Sequence, residues 1–149
     1  MDLAFDSSAA NGLRHYVRLV AVELGLTGES SYIQLDPPAH VYMAVDGRLK
    51  SFPARDVALL WDEEDGWSVG VETHSGEDLM VLAYMGGDVL PAPRQVARFV
   101  RGLGGDRLPG QIDPPAFRAA GDDDDLESRL AAYAGFALVT STWPGGSAA

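Results

Sequence analysis

The chain contains no cysteine, which excludes disulfides, thiolate zinc sites and a thiol nucleophile and leaves the compartment open. Lysine is nearly absent as well: the cationic side chains are ten arginines and Lys50, a bias that GC-rich genomes produce. No apolar run approaches the roughly 18 residues of a membrane span. The start, Met1-Asp2-Leu3-Ala4-Phe5-Asp6, lacks the basic region that precedes the apolar stretch of a secretory signal. A cytoplasmic protein without a membrane partner is therefore expected. The net charge of −11 and a pI near 4.4 repel phosphates and anionic lipid, so nucleic acid is not an expected partner either. What remains is 149 residues, about one domain, long enough to bury roughly 68–70% of its unfolded surface without a staple.

Positive charge is scarcest between Asp56 and Pro93, where nine carboxylates occur without a single Lys or Arg. This stretch alternates in the two-residue rhythm of a β-meander. Val57 to Trp61 reads as a strand, Asp62-Glu63-Glu64-Asp65-Gly66 as a turn, and Trp67 to Thr73 as a second strand. A second turn, His74-Ser75-Gly76-Glu77-Asp78, leads to Leu79–Tyr84. Trp67, Val69 and Val71 share one face and Ser68, Gly70 and Glu72 the other, the pattern of a sheet covered on one side. Leu79–Tyr84 is apolar on both faces and is expected to lie centrally or to be sandwiched. Ser31–Leu35, stopped by Asp36-Pro37-Pro38, and Val41–Val45 supply two more strands.

Helices are predicted before and after the sheet along the chain, the second packed on one face of it. Residues 1–10 read as a loose lead-in and Asn11 as an N-cap, after which Leu13, Tyr16, Val17, Val20 and Leu24 recur at helical spacing up to Gly25. Pro93–Leu103 forms the second helix. From Gly104 to Asp125 the composition turns to Gly, Pro and Asp, the signature of a linker or mobile loop. Asp122–Asp125 then suits the N-terminus of a third helix from Leu126 to about Ala134, and 136–143 is ambiguous between helix and strand. The fold class is thus α+β: a mostly antiparallel sheet of about five strands with helices before and after it, plus a C-terminal helix on a flexible linker. The domain division is 1–103 for the core and 104–149 for linker and helix. Gln34-Leu35-Asp36-Pro37-Pro38-Ala39 is echoed by Gln111-Ile112-Asp113-Pro114-Pro115-Ala116, read as two uses of an Asp-Pro-Pro turn.

Gly12-Leu13-Arg14-His15-Tyr16-Val17-Arg18, Phe52 through Glu63, Gly66-Trp67, Val71 through Leu79 and Asp88 through Arg94 resemble a family of small actinobacterial proteins known only as a domain of unknown function. The resemblance covers about Gly12 to Leu103 and implies an actinobacterial, intracellular protein. It transfers no functional residue.

No constellation carries a catalytic signature. Asp62–Asp65 and Glu77-Asp78 suit Mg²⁺ or Ca²⁺ by type, but they close opposite ends of the middle strand, about 20 Å apart at roughly 3.3 Å per residue. Asp62–Asp65 also lacks calcium-loop spacing, so it reads as a solvated turn that guards against edge aggregation. His15, His40 and His74 form no zinc pattern, and His74-Ser75 with Asp78 is too compressed for a triad. No metal and no cofactor is expected. Arg94, Arg98 and Arg101 make a basic stripe on the second helix, read as pairing with local carboxylates or, alternatively, binding phosphate. Trp61 and Trp67 face each other across the first turn as core or as a stacking pair. Leu126, Leu130 and Tyr133 form an apolar stripe too short to stand alone. These eight residues are the candidate binding set. The function they favour is a non-catalytic protein–protein interaction module, an adaptor, chaperone-like or immunity-type protein, acting on another protein or by self-association. The alternative is a small-molecule-binding or metal-dependent enzyme using carboxylates of the sheet.

Overall fold

A computed structural model describes residues 5–26, 31–73, 78–105 and 107–142, with 135–142 described by their backbone. The first helix, α1, spans Ser7–Glu23 and so begins earlier than expected. Asp6 rather than Asn11 is its N-cap, its Oδ1 accepting from the backbone N–H of Ala9 at 2.8 Å. Ser7 to Ala10 are small residues whose weak apolar periodicity hid a helical turn; Ala9 and Ala10 are buried. Asn11 instead accepts from Arg14 at 3.1 Å. The helix ends in a paired C-terminal closure, with Gly25 at φ +76° and backbone bonds from Leu26 to Ala21 and from Gly25 to Val22.

Five strands follow, β1 Ser31–Gln34, β2 His40–Val45, β3 Val57–Asp62, β4 Gly66–Glu72 and β5 Leu79–Tyr84, in one antiparallel sheet whose spatial order equals the chain order. Trp61 and Trp67 are register partners across β3 and β4, as predicted. Trp67, Val69 and Val71 are buried. Two expectations change. The second face of β4 is not open, since Ser68 and Gly70 are buried too, Ser68 having a short side chain and Gly70 none. β5 is an edge strand and not a central one: Met80 and Val81 are each 40% exposed. Its apolar character on both faces reflects what the edge tolerates rather than enclosure, and a register shift at Val69/Gly70 marks its pairing with β4.

The second helix, α2, spans Pro93–Arg101, continues as a 3₁₀ turn over Gly102–Gly104, and precedes α3, Leu126–Thr142. Residues 136–142 are therefore helical, and Trp143 lies outside the described residues. α1 covers the sheet and α3 covers α1. Tyr16 ties these layers together: its hydroxyl donates to the carbonyl of Pro91 and accepts from Trp67 Nε1 at 3.0 Å, while its ring meets Tyr133 at 4.9 Å between centroids. Trp61 Nε1 donates to the carbonyl of Val89 at 2.7 Å. Both indole N–H groups, each buried, are thus satisfied, as burial requires.

Leu126 and Leu130 are fully buried and belong to the same apolar core as Leu13, Tyr16 and Val17. Gly12 permits this approach, because a Cβ there would run into the backbone carbonyl of Leu130. Gly12→Ala must therefore push α3 away from α1. An overpacked contact of this kind costs about 1–3 kcal/mol, and urea unfolding is expected to report a loss in that range despite the better helix propensity of alanine.

Candidate functional site

The turn between β3 and β4 is where the sequence's acidity becomes structure. Asp62 organises it internally, Oδ1 accepting from the backbone N–H groups of Glu64 and Asp65 at 2.8 and 2.7 Å. The next three residues then present acceptors to a segment 50 or more positions downstream. Glu63 Oε1 accepts from Arg118 Nη1 at 2.6 Å, the Glu63 carbonyl accepts from the same nitrogen at 3.3 Å, and Oε2 accepts from the Ala39 N–H at 2.7 Å. The Glu64 carbonyl and carboxylate accept from the N–H groups of Phe117 and Ala120, each at 2.8 Å, and Asp65 Oδ1 accepts from Ala116 at 3.0 Å. Gly66, at φ +72°, ends the turn where a Cβ would sit 3.2 Å from the Phe117 ring. The solvated turn expected from the sequence is thus a socket: Glu63 is 1% exposed.

The docked segment, here called the strap, is residues 107–125, which contain no helix or strand. It is held at further points. Gln111 and Tyr84 exchange backbone bonds of 2.7 and 2.8 Å, which pairs the strap to the end of β5. Arg118, with its side chain 5% exposed, also binds Asp124 Oδ2 at 2.6 Å. Arg129 of α3 forks onto Asp88 at 3.1 and 2.7 Å. Burial pulls Arg118 towards losing its proton, but Asp124 and Glu63 outweigh it and the guanidinium is held more firmly charged. Arg118 lowers Asp124 and Arg129 lowers Asp88, while burial raises Asp62.

Of the residues singled out from sequence, Trp61, Trp67, Leu126 and Leu130 are in the interior. Their contacts are with this chain. Tyr133 is half-buried on Tyr16 and borders a groove of about 500 Å³ between α1, α2 and α3. Leu19, Val22 and Pro93 line it together with the charged Glu23 and Arg94. Val22 is 64% exposed. Arg94 and Arg98 are exposed, and no carboxylate among the described residues meets either, so the local pairing expected for them is not found. Arg101 donates to the carbonyl of Glu23 at 3.3 Å, at the C-terminal end of α1. The structure brings Arg94 and Tyr133 to one groove and does not bring the Trp pair to it. Sequence reasoning missed Arg118, Arg129 and Asp88; the one signal available was that Arg118 and Arg129 flank the Asp122–Asp125 run.

His40 Nδ1 lies 3.2 Å from the Pro38 carbonyl on the exposed side of its turn. His74, Ser75 and Glu77 lie outside the described residues. Among the described residues no group of three or more His, Asp or Glu could hold a metal ion, and no helix is long and apolar enough to cross a membrane. The model of a family described as of unknown function (DUF6292) matches residues 16–102, more than half of the chain. No curated protein and no solved structure matches.

Removing one member of a buried ion pair leaves the other uncompensated, at a cost of about 3–5 kcal/mol. Arg118→Ala is expected to lose stability on that scale, and Glu63→Gln combined with it to lose less than the sum of the two single changes; a double-mutant cycle by urea unfolding measures this. Acid acts on the same contacts. Carboxyls depressed in the folded state contribute stability that is complete above their unfolded value, about 3.9, and disappears as pH falls through the folded one. Asp88 and Asp124 belong to this class, while raised Asp62 works in the opposite direction. The fall of Tm below about pH 4 should accordingly be shallower in Asp88→Asn, whereas Asp62→Asn should remove a gain in stability that the parent makes as pH falls towards about 4 from above, by thermal melts across pH.

Proposed function

Because this chain belongs to that family of unknown function, its role has to be read from its surfaces, and we propose that it is a non-catalytic protein-interaction module. The observation that carries this reading is the apolar groove between α1, α2 and α3, where Val22 stands exposed beside Leu19, Pro93 and Tyr133. An exposed large apolar side chain in a concave apolar site has a use when a partner covers it. Glu23 and Arg94 in the lining offer charges of both signs to fix the orientation of an incoming segment. The edges of β1 and β5, where Tyr32 and Met80 are exposed, offer a second mode, addition of an extended strand.

Catalysis by sheet carboxylates has less to support it. Glu63, Glu64, Asp65 and Asp88 are already engaged by the strap and α3, which leaves them committed to structure. The reading places the protein in the cytoplasm of an actinobacterium, on the strength of its resemblance and its arginine-for-lysine bias. Adaptor, chaperone-like and immunity-type roles all use such a groove.

Val22→Asp tests the reading, because an exposed position tolerates substitution within about ±0.5 kcal/mol while a carboxylate in the groove opposes an apolar partner. Affinity capture from the native host with the full chain is expected to retrieve a partner that Val22→Asp loses and Glu127→Lys, on the exposed side of α3, retains. Identical captures by all three would remove the groove from consideration.

A further inference from the structure

A second cavity, of about 520 Å³, lies on the other side of α2 and is independent of the groove. Its walls are fixed by backbone bonds. Met85 is tied to the Trp67 carbonyl at 2.8 Å, and the Tyr84–Gln111 exchange holds Pro109 and Gly110 opposite it. Gly110 sits so close to the Tyr84 carbonyl and the Phe99 ring that no side chain would fit there. Pro91, Phe99 and Pro109 give the lining its apolar half, and the polar side chains in it are Asp88, Gln95 and Arg98.

Those polar groups are unevenly spent. Both Asp88 oxygens are occupied by Arg129, and Gln95 Oε1 accepts from the Ala92 N–H at 2.9 Å. The acceptors are thus already in use. The donors are not: Arg98 and the Gln95 amide nitrogen have no acceptor among the described residues. A site with spent acceptors, an unspent guanidinium and an apolar patch beside it suits an anion carried on a small apolar body. We propose that this cavity binds a small organic carboxylate, its carboxylate on Arg98 and Gln95 and its apolar part against Pro91, Phe99 and Pro109. Charged hydrogen bonds of this type carry binding that a neutral isostere cannot reproduce.

The test uses the full chain, isotope-labelled, titrated with benzoate and with neutral benzamide while backbone amide NMR shifts are followed. Benzoate is expected to give saturable shifts centred on Gly86, Gly87 and Phe99, with benzamide binding roughly tenfold weaker or less. Arg98→Gln should weaken benzoate by a similar factor and lower Tm by no more than the small loss of a cation from the last turn of α2, because Arg98 has no side-chain partner to lose. Arg94→Gln, on the same stripe and outside the cavity, should bind like the parent. The proposal is overturned if benzoate produces no saturable shifts there, if benzamide binds equally, if Arg98→Gln binds as the parent does, or if Arg94→Gln loses as much as Arg98→Gln.

Discussion

A carboxylate held out of water has to be answered, and in this protein the answer to Glu63 organises the C-terminal third of the chain. An uncompensated charge at that depth costs several kcal/mol. The Ala39 N–H satisfies one oxygen and Arg118 the other. Arg118 can reach Glu63 only if the strap crosses the β3–β4 turn, which is why Glu64 and Asp65 meet strap N–H groups and why Gly66 has no side chain facing Phe117. Arg118 also holds Asp124, whose Oδ1 accepts from the first N–H of α3 at 3.3 Å. The start of α3 is thereby fixed, and Leu126 and Leu130 are delivered onto α1 at Gly12.

The local elements were legible because each rests on short-range physics. The alternation of β3 and β4, the Trp61–Trp67 pairing and the helical spacing of Leu13, Tyr16, Val17 and Val20 needed only neighbours in sequence. The first turn of α1 was missed because Ser7 to Ala10 carry helix propensity without amphipathic pattern. The central place assigned to β5 failed because burial of an apolar strand depends on sheet order, which its own residues do not encode. The socket was illegible for a stronger reason. An acidic run looks the same whether water or a distant arginine solvates it, and Arg118 is 55 residues from Glu63 with no periodicity connecting them. The family match repeats that division, since Glu63 of the socket and Asp88 lie within residues 16–102 while Arg118 and Arg129, the cations that engage them, lie beyond.

Charge is consequently distributed in a way that the net value of −11 conceals. Part of the acidity faces inward to the strap, whereas α2 carries Arg94 and Arg98 outward without carboxylate partners among the described residues. Beyond a Debye length, about 8 Å in physiological salt, the net negative field that opposes an approaching anion is largely screened. Inside that distance the anion meets the guanidinium. Salt screens the long-range repulsion as well as the local attraction, so anion binding on α2 depends on ionic strength more weakly than binding to a protein of net positive charge.

The two surfaces on either side of α2 share one dependence. The apolar groove takes a wall from Ala132 and Tyr133 of α3, and the second cavity takes a wall from Pro109 and Gly110 of the strap. A ligand that uses either wall binds the strapped arrangement and not one in which the C-terminal segment has left its socket. Binding at each therefore stabilises that arrangement by RT ln(1 + [L]/Kd). Linkage requires the converse, that a firmly seated strap raises affinity at both places without the two ligands ever touching. The Glu63–Arg118 pair and the Tyr84–Gln111 exchange both seat the strap, so a buried contact that faces neither surface contributes to the walls of both.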